Sequence, residues 1–207
     1  MPPALLVVDM QRAFVDPGQA MEVPSARAIV PRIQDLIAAF RANGRPVVFT
    51  EFVYSEAAPL FVGELHPEHR RAAPGAPTGP RRPSSSCLEG EDNTDTIADL
   101  KPRPDELVVR KHYYDAFNGT VLDGALRARG ATELVVTGTM TDICVLATAI
   151  GGFNREYRIT VVEDAVATIW PDIQGAALDI VRRAYGRVAT ARAVADELAA
   201  ARPQEGS

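Results

Sequence analysis

The unbroken apolar run Ala4-Leu5-Leu6-Val7-Val8 constrains the fold of this chain more than any other stretch. With no polar alternate it reads as a β-strand buried on both faces, and a parallel sheet covered by helices on each side buries a strand that way. Further short strand-like runs follow at 46–53, 106–110, 133–137, 158–162 and 187–190. Helical periods separate them. Ile29, Ile33, Leu36, Ile37 and Phe40 form one stripe over 25–43, with Asn43-Gly44 as its stop. Pro31 then belongs in the first turn of that helix, or starts it. Other helices are expected over 120–129, in the stretch that carries Cys144, over 172–185 behind Pro171, and over 194–201. This alternation predicts an α/β fold: a single-domain, Rossmann-like three-layer sandwich with a six-stranded parallel sheet and helices on both faces.

One domain over residues 1–207 accords with the usual size of roughly 100–200 residues per domain. The segment at about 54–93 interrupts the pattern with Pro59, Pro67, Pro74, Pro77, Pro80, Pro83 and Ser84-Ser85-Ser86. Because strands of one sheet flank it, it reads as an insertion that covers the site or contacts another subunit. Acidic residues outnumber basic ones, 27 to 22, so charge gives no reason to expect nucleic acid or an anionic membrane as partner. No apolar run approaches the ~20 residues of a membrane span, and Met1-Pro2-Pro3-Ala4 lacks the basic start of a secretion signal. Two cysteines, Cys87 and Cys144, do not make a disulfide framework. A cytoplasmic protein is therefore expected.

In open parallel sheets, ligands bind beyond the carboxyl ends of the strands. Asp9, Lys111 and Cys144 all fall at such ends. Near Lys111, a buried Asp9 would have the partner that its burial demands. Asp9 could then take the Cys144 proton and return it to a leaving amine. Lys111 and the start of the Cys144 helix would both favour the thiolate. Backbone N–H groups there suit an oxyanion. Each residue also has an ordinary use: Asp as a turn residue or cap, Lys as a solvated surface group, Cys as core.

Three blocks separate these readings. Asp9-Met10-Gln11-Arg12-Ala13-Phe14, Lys111-His112-Tyr113-Tyr114-Asp115-Ala116-Phe117 and Gly138-Thr139-Met140-Thr141-Asp142-Ile143-Cys144-Val145 follow one another, with Glu163-Asp164-Ala165 behind them. In content and order they resemble the isochorismatase-like cysteine hydrolases. The resemblance implies an Asp9–Lys111–Cys144 triad with Asp9 as base, Lys111 as its cationic partner and Cys144 as nucleophile. It also implies a cis peptide between Thr139 and Met140, which aims the Met140 and Cys144 N–H groups at an oxyanion. The implied chemistry is thioester formation with loss of ammonia or an amine, then hydrolysis. A homodimer or homotetramer acting on a small molecule, without a cofactor, is expected on the same ground.

Nicotinamidases of this family carry a metal site after the second strand, built on Asp-x-His with further histidines. Here the stretch reads Thr50-Glu51-Phe52-Val53-Tyr54, and His66 and His69 lie apart from it, so no metal is expected. True isochorismatases cleave a vinyl ether without needing the cysteine, so Cys144 favours C–N hydrolysis. The reading is a metal-independent cysteine hydrolase for a small amide, carbamoyl compound or ureide. The alternatives are a vinyl ether hydrolase and a catalytically idle binding or assembly relative. Gln11, Phe14, Tyr113, Tyr114, Phe117 and Gln174 are the candidate pocket residues, the Gln174 amide being suited to an uncharged substrate. Cys87 has no base and cation of its own in sequence and reads as structural.

Overall fold

The structure is a computed structural model, and it describes residues 2–54 and 86–201. Six parallel strands form one sheet: β1 (Pro3–Val8), β2 (Val47–Phe52), β3 (Leu107–Lys111), β4 (Glu133–Thr139), β5 (Arg158–Ala167) and β6 (Arg187–Ala189). Their order is β3-β2-β1-β4-β5-β6, with β1 paired to β2 on one side and β4 on the other. The chain winds outward in opposite directions from β1 and β4. A crevice therefore opens above their carboxyl ends.

The two faces of β1 explain its apolar run. Leu5 and Val7 belong to a core shared with Ile29, Ile33, Leu36 and Phe40 of α2 (Ala26–Ala42) and with Val194 and Leu198 of α6 (Ala191–Ala200). Leu6 and Val8 belong to a second core. There they join α3 (Leu122–Ala128), α4 (Leu146–Phe153) and α5 (Pro171–Ile180). Successive strand residues point to opposite faces, so each core takes every second residue.

Several elements depart from the sequence reading. Pro31 lies inside α2, beyond its first turn. An interior proline costs a helix about 3 kcal/mol, and the buried stripe from Ala26 to Phe40 outweighs it. A one-turn helix, α1 (Arg12–Val15), follows β1 without a period long enough to announce it. The segment leading to β3 holds two 3-10 turns, Asp92–Thr94 and Ala98–Leu100. Strand β5 runs on to Ala167 rather than ending at Val162, because its register against β4 shifts between Val136 and Gly138. Glu163 and Asp164 thus lie within the strand; Asp164 accepts the Ala191 N–H at 2.7 Å and holds the start of α6.

Gly138 permits the close approach of β4 to β1. Its φ is +107°, and a Cβ there would lie 2.0 Å from the Val8 carbonyl oxygen. Gly175, in α5, has open space around its missing side chain. Gly138→Ala should therefore lower the free energy of unfolding by more than about 3 kcal/mol, whereas Gly175→Ala should raise it by about 0.5–1 kcal/mol. Urea titrations of the two variants check both signs.

Candidate active site

Asp9 follows β1 with a positive φ of 50°, a conformation that costs a non-glycine residue energy unless its surroundings hold it. Its N–H donates to the Thr50 carbonyl at 3.1 Å, and the Thr139 hydroxyl donates to its carbonyl at 2.9 Å. The first residue of the crevice is thus tied to β2 and to β4 at once. Its carboxylate is fully buried, with Oδ1 receiving the Thr50 hydroxyl at 2.5 Å and Oδ2 lying 2.8 Å from Lys111 Nζ.

Lys111 closes β3, two strands from β1. That separation is about 10 Å, which the four-carbon stem of lysine crosses. The ammonium passes the Phe52 ring at 5.2 Å from its centroid and is also fully buried. It donates to the carbonyls of Tyr113 at 3.1 Å and Tyr114 at 3.2 Å. Burial pulls its pKa down, the charge of Asp9 draws it up, and the net direction is upward. Lys111 therefore stays protonated.

Cys144 lies in a π-helical turn, Thr141–Val145, that leads from β4 into α4. Its thiol is buried, and Lys111 and Asp9 are the charged groups that act on it. Burial pushes the thiol pKa up, Lys111 draws it down, and Asp9 adds to the rise. The net direction is upward, so burial overrides the helix-start effect expected from sequence and the resting sulfur carries its proton. The peptide between Thr139 and Met140 is cis. Carbonyl Met140 accepts from the N–H groups of Ile143 and Val145 at 3.0 and 3.1 Å.

The surrounding residues hold this arrangement. The Thr148 hydroxyl of α4 accepts the Ala116 N–H at 3.1 Å, so the loop behind Lys111 is anchored on the helix behind Cys144. Gly151 lets that loop come close: a Cβ there would meet the Asp115 carboxylate at 2.3 Å. Sequence spacing gave no sign of Thr50 as the partner of Asp9. A hydroxyl at the carboxyl end of the neighbouring strand is the only signal that could have suggested it.

Three of the candidate pocket residues are buried in packing contacts. Gln11 is fully buried and donates its amide to the carbonyls of Phe52 at 2.9 Å and Thr94 at 2.7 Å. Its oxygen accepts the Phe52 N–H at 2.8 Å, so it clamps β1 to β2 and to the turn beyond. Phe14 packs in the α2-side core. Phe117 stacks on Tyr157 with centroids 5.8 Å apart and lies under the Arg155 guanidinium. Tyr113 and Tyr114 remain partly exposed beside Lys111, and Tyr114 stacks on Phe52. Gln174 is half-buried; its oxygen accepts the Thr141 hydroxyl at 2.7 Å and its amide donates to the Val166 carbonyl at 3.0 Å.

At the end of β2, Glu51 accepts from the Thr96 N–H and hydroxyl, both at 3.0 Å. Among the described residues no group of three His, Cys, Asp or Glu side chains is arranged to hold a metal ion. His66, His69 and most of the proline-rich segment lie outside the described residues. Cys87 is fully buried, and burial followed by the charge of Asp9 pushes its thiol up to about 12. No helix among the described residues is long and apolar enough to cross a membrane.

A single sheet of six parallel strands with helices around it is the fold of the isochorismatase-family hydrolases. The isochorismatase domain model matches residues 3–193, and the chain belongs to that family. A cysteine hydrolase from Pseudomonas syringae pv. phaseolicola is similar at a TM-score of 0.84 and 28% identity, over 97% of this chain and 93% of that one. An N-carbamoylsarcosine amidase from Thermoplasma acidophilum is 33% identical over 92% of this chain and 97% of its own, at a TM-score of 0.75. A nicotinamidase/pyrazinamidase from Bacillus subtilis is 29% identical, over 91% of this chain and 100% of its own, at a TM-score of 0.74.

Removing the ammonium would leave the Asp9 carboxylate buried without its counter-charge. Lys111→Met should cost about 3–5 kcal/mol of stability, and adding Asp9→Asn should recover most of the loss. Urea unfolding of the single and double variants tests this. Stability should also fall in alkali. From pH 9, the ordinary thiol value, to about 12, folded Cys87 keeps a proton that the unfolded chain releases, so unfolding becomes easier by up to about 1.4 kcal/mol per pH unit. Cys144 acts in the same direction, and the Lys111 contribution, complete below 10.5, is lost above it. Unfolding at pH 7.5 and 10.5 should give a smaller difference for Cys87→Ala than for the parent chain.

Proposed function

We propose that this protein is a metal-independent cysteine hydrolase that cleaves a C–N bond in a small amide, carbamoyl compound or ureide through a Cys144 thioester. One observation carries the reading: the parallel sheet gathers a buried Asp9–Lys111 ion pair, 2.8 Å apart, and the buried Cys144 thiol at the carboxyl ends of its strands. A neutral thiol needs a base at the moment of attack, and Asp9 is the adjacent carboxylate.

Sulfur attacks the carbonyl carbon as its proton passes to Asp9. The N–H groups of Met140 and Cys144 receive the oxyanion. When the tetrahedral intermediate collapses, the C–N bond breaks and Asp9 returns the proton to the departing nitrogen, which leaves as ammonia or an amine. Water then attacks the thioester while Asp9 takes its proton. As the C–S bond breaks, that proton goes back to sulfur and the acid product is released. Lys111 stays charged throughout, balancing Asp9 when it is anionic and the sulfur as charge develops there.

Similarity to an N-carbamoylsarcosine amidase supports the carbamoyl branch of the substrate class. The stretch Thr50-Glu51-Phe52-Val53-Tyr54, which holds no histidine, supports a reaction without metal. Cys144→Ala and Asp9→Asn should each abolish ammonia release from a panel of small amides and ureides, to below about one part in a thousand. Prolonged EDTA treatment should leave the parent rate unchanged. Mass spectrometry of the acid-quenched reaction should find the acyl group on Cys144. Full activity in Cys144→Ala would overturn the proposal.

A further inference from the structure

We infer that Thr50 is a positioning residue that makes Asp9 a one-oxygen base, so that every proton transferred in the reaction passes through Oδ2; this rests on the reaction proposed above. Thr50 is fully buried on β2, and its hydroxyl has Asp9 on both its accepting and its donating side. Its Oγ1 accepts the Asp9 N–H at 3.2 Å, and its proton is donated to Asp9 Oδ1 at 2.5 Å. A hydroxyl has one proton, so this closed exchange leaves Oδ1 as an acceptor. Protonating Oδ1 would set two hydroxyl hydrogens against each other in a site closed to water.

Oδ2 is different. It lies 2.8 Å from Lys111 Nζ and has no well-aligned hydrogen-bond donor among the described residues. It is therefore the oxygen available to a proton from sulfur. The groups around the carboxylate accord with this. Lys111 comes from β3, Cys144 from the turn after β4, and Cys87 from the segment after β2. Glu51, the acid on β2, is turned away to Thr96 and Arg110. Thr50 also fixes the backbone of Asp9, whose N–H bonds to both its carbonyl and its hydroxyl. With the Thr50 proton removed, the carboxylate is free to rotate and offers its two oxygens alternately.

The test compares Thr50→Val, which keeps the shape and loses the proton, with Thr50→Ser, which keeps the proton. Thr50→Val should lower kcat about 10- to 100-fold with KM changed less than about twofold. Pre-steady-state kinetics should show acylation and thioester hydrolysis slowed by a similar factor, because both use the same oxygen. Thr50→Ser should recover most of the rate even if its unfolding midpoint drops. If the valine protein does not fold, Thr50→Ala is read in the same way. A kcat unchanged in Thr50→Val, or losses in the valine and serine variants that merely follow their stabilities, would overturn the assignment. The proposed reaction would still stand so long as Cys144→Ala and Asp9→Asn are inactive; activity in those two would sink the reaction itself.

Discussion

The buried ion pair between Asp9 and Lys111 is the interaction that the rest of this site requires. Two charges removed from water are costly to the fold, and their attraction offsets that cost only when geometry is good and the remaining polar atoms are satisfied. Here the satisfying groups come from every neighbouring element. Thr50 on β2 holds one carboxylate oxygen, the Tyr113 and Tyr114 carbonyls take ammonium protons, and Thr139 on β4 holds the Asp9 carbonyl. Lysine suits the position across β2 because its stem reaches over the Phe52 ring and ends in a compact charge.

Around this pair, much of the sequence between the chemical groups serves to fix distances. Gly138 lets β4 lie against the end of β1, and Gly151 lets the loop after Lys111 lie against α4. Gln11 spends its amide on backbone groups of β2 and the turn beyond. Gln174 ties β5 to Thr141 in the nucleophile turn. Such hydrogen bonds are individually modest, about 1 kcal/mol each, yet each leaves a buried polar atom unsatisfied when broken. Their combined effect is to hold the loops and turns around Asp9, Lys111 and Cys144 in place.

The protonation state of the sulfur follows from burial. Helix starts and neighbouring cations favour a thiolate, and Lys111 does act that way on Cys144. Enclosure and the Asp9 charge act against it, and the sulfur keeps its proton.

The alternation of strand and helix, the double-sided burial of β1 and the gathering of Asp9, Lys111 and Cys144 at strand ends were legible in the sequence. They follow from local periodicity and from a topology that permits few arrangements. Three things were decided by tertiary structure alone. Gln11 is held by backbone groups of β2, and Phe117 stacks on Tyr157. Thr50 became the partner of Asp9 because strand pairing, a relation between residues far apart in the chain, set them side by side. The upward shift of the Cys144 thiol reflects its burial. The order of residues fixes which groups a chain possesses, but burial and cross-strand register exist only once the sheet has formed.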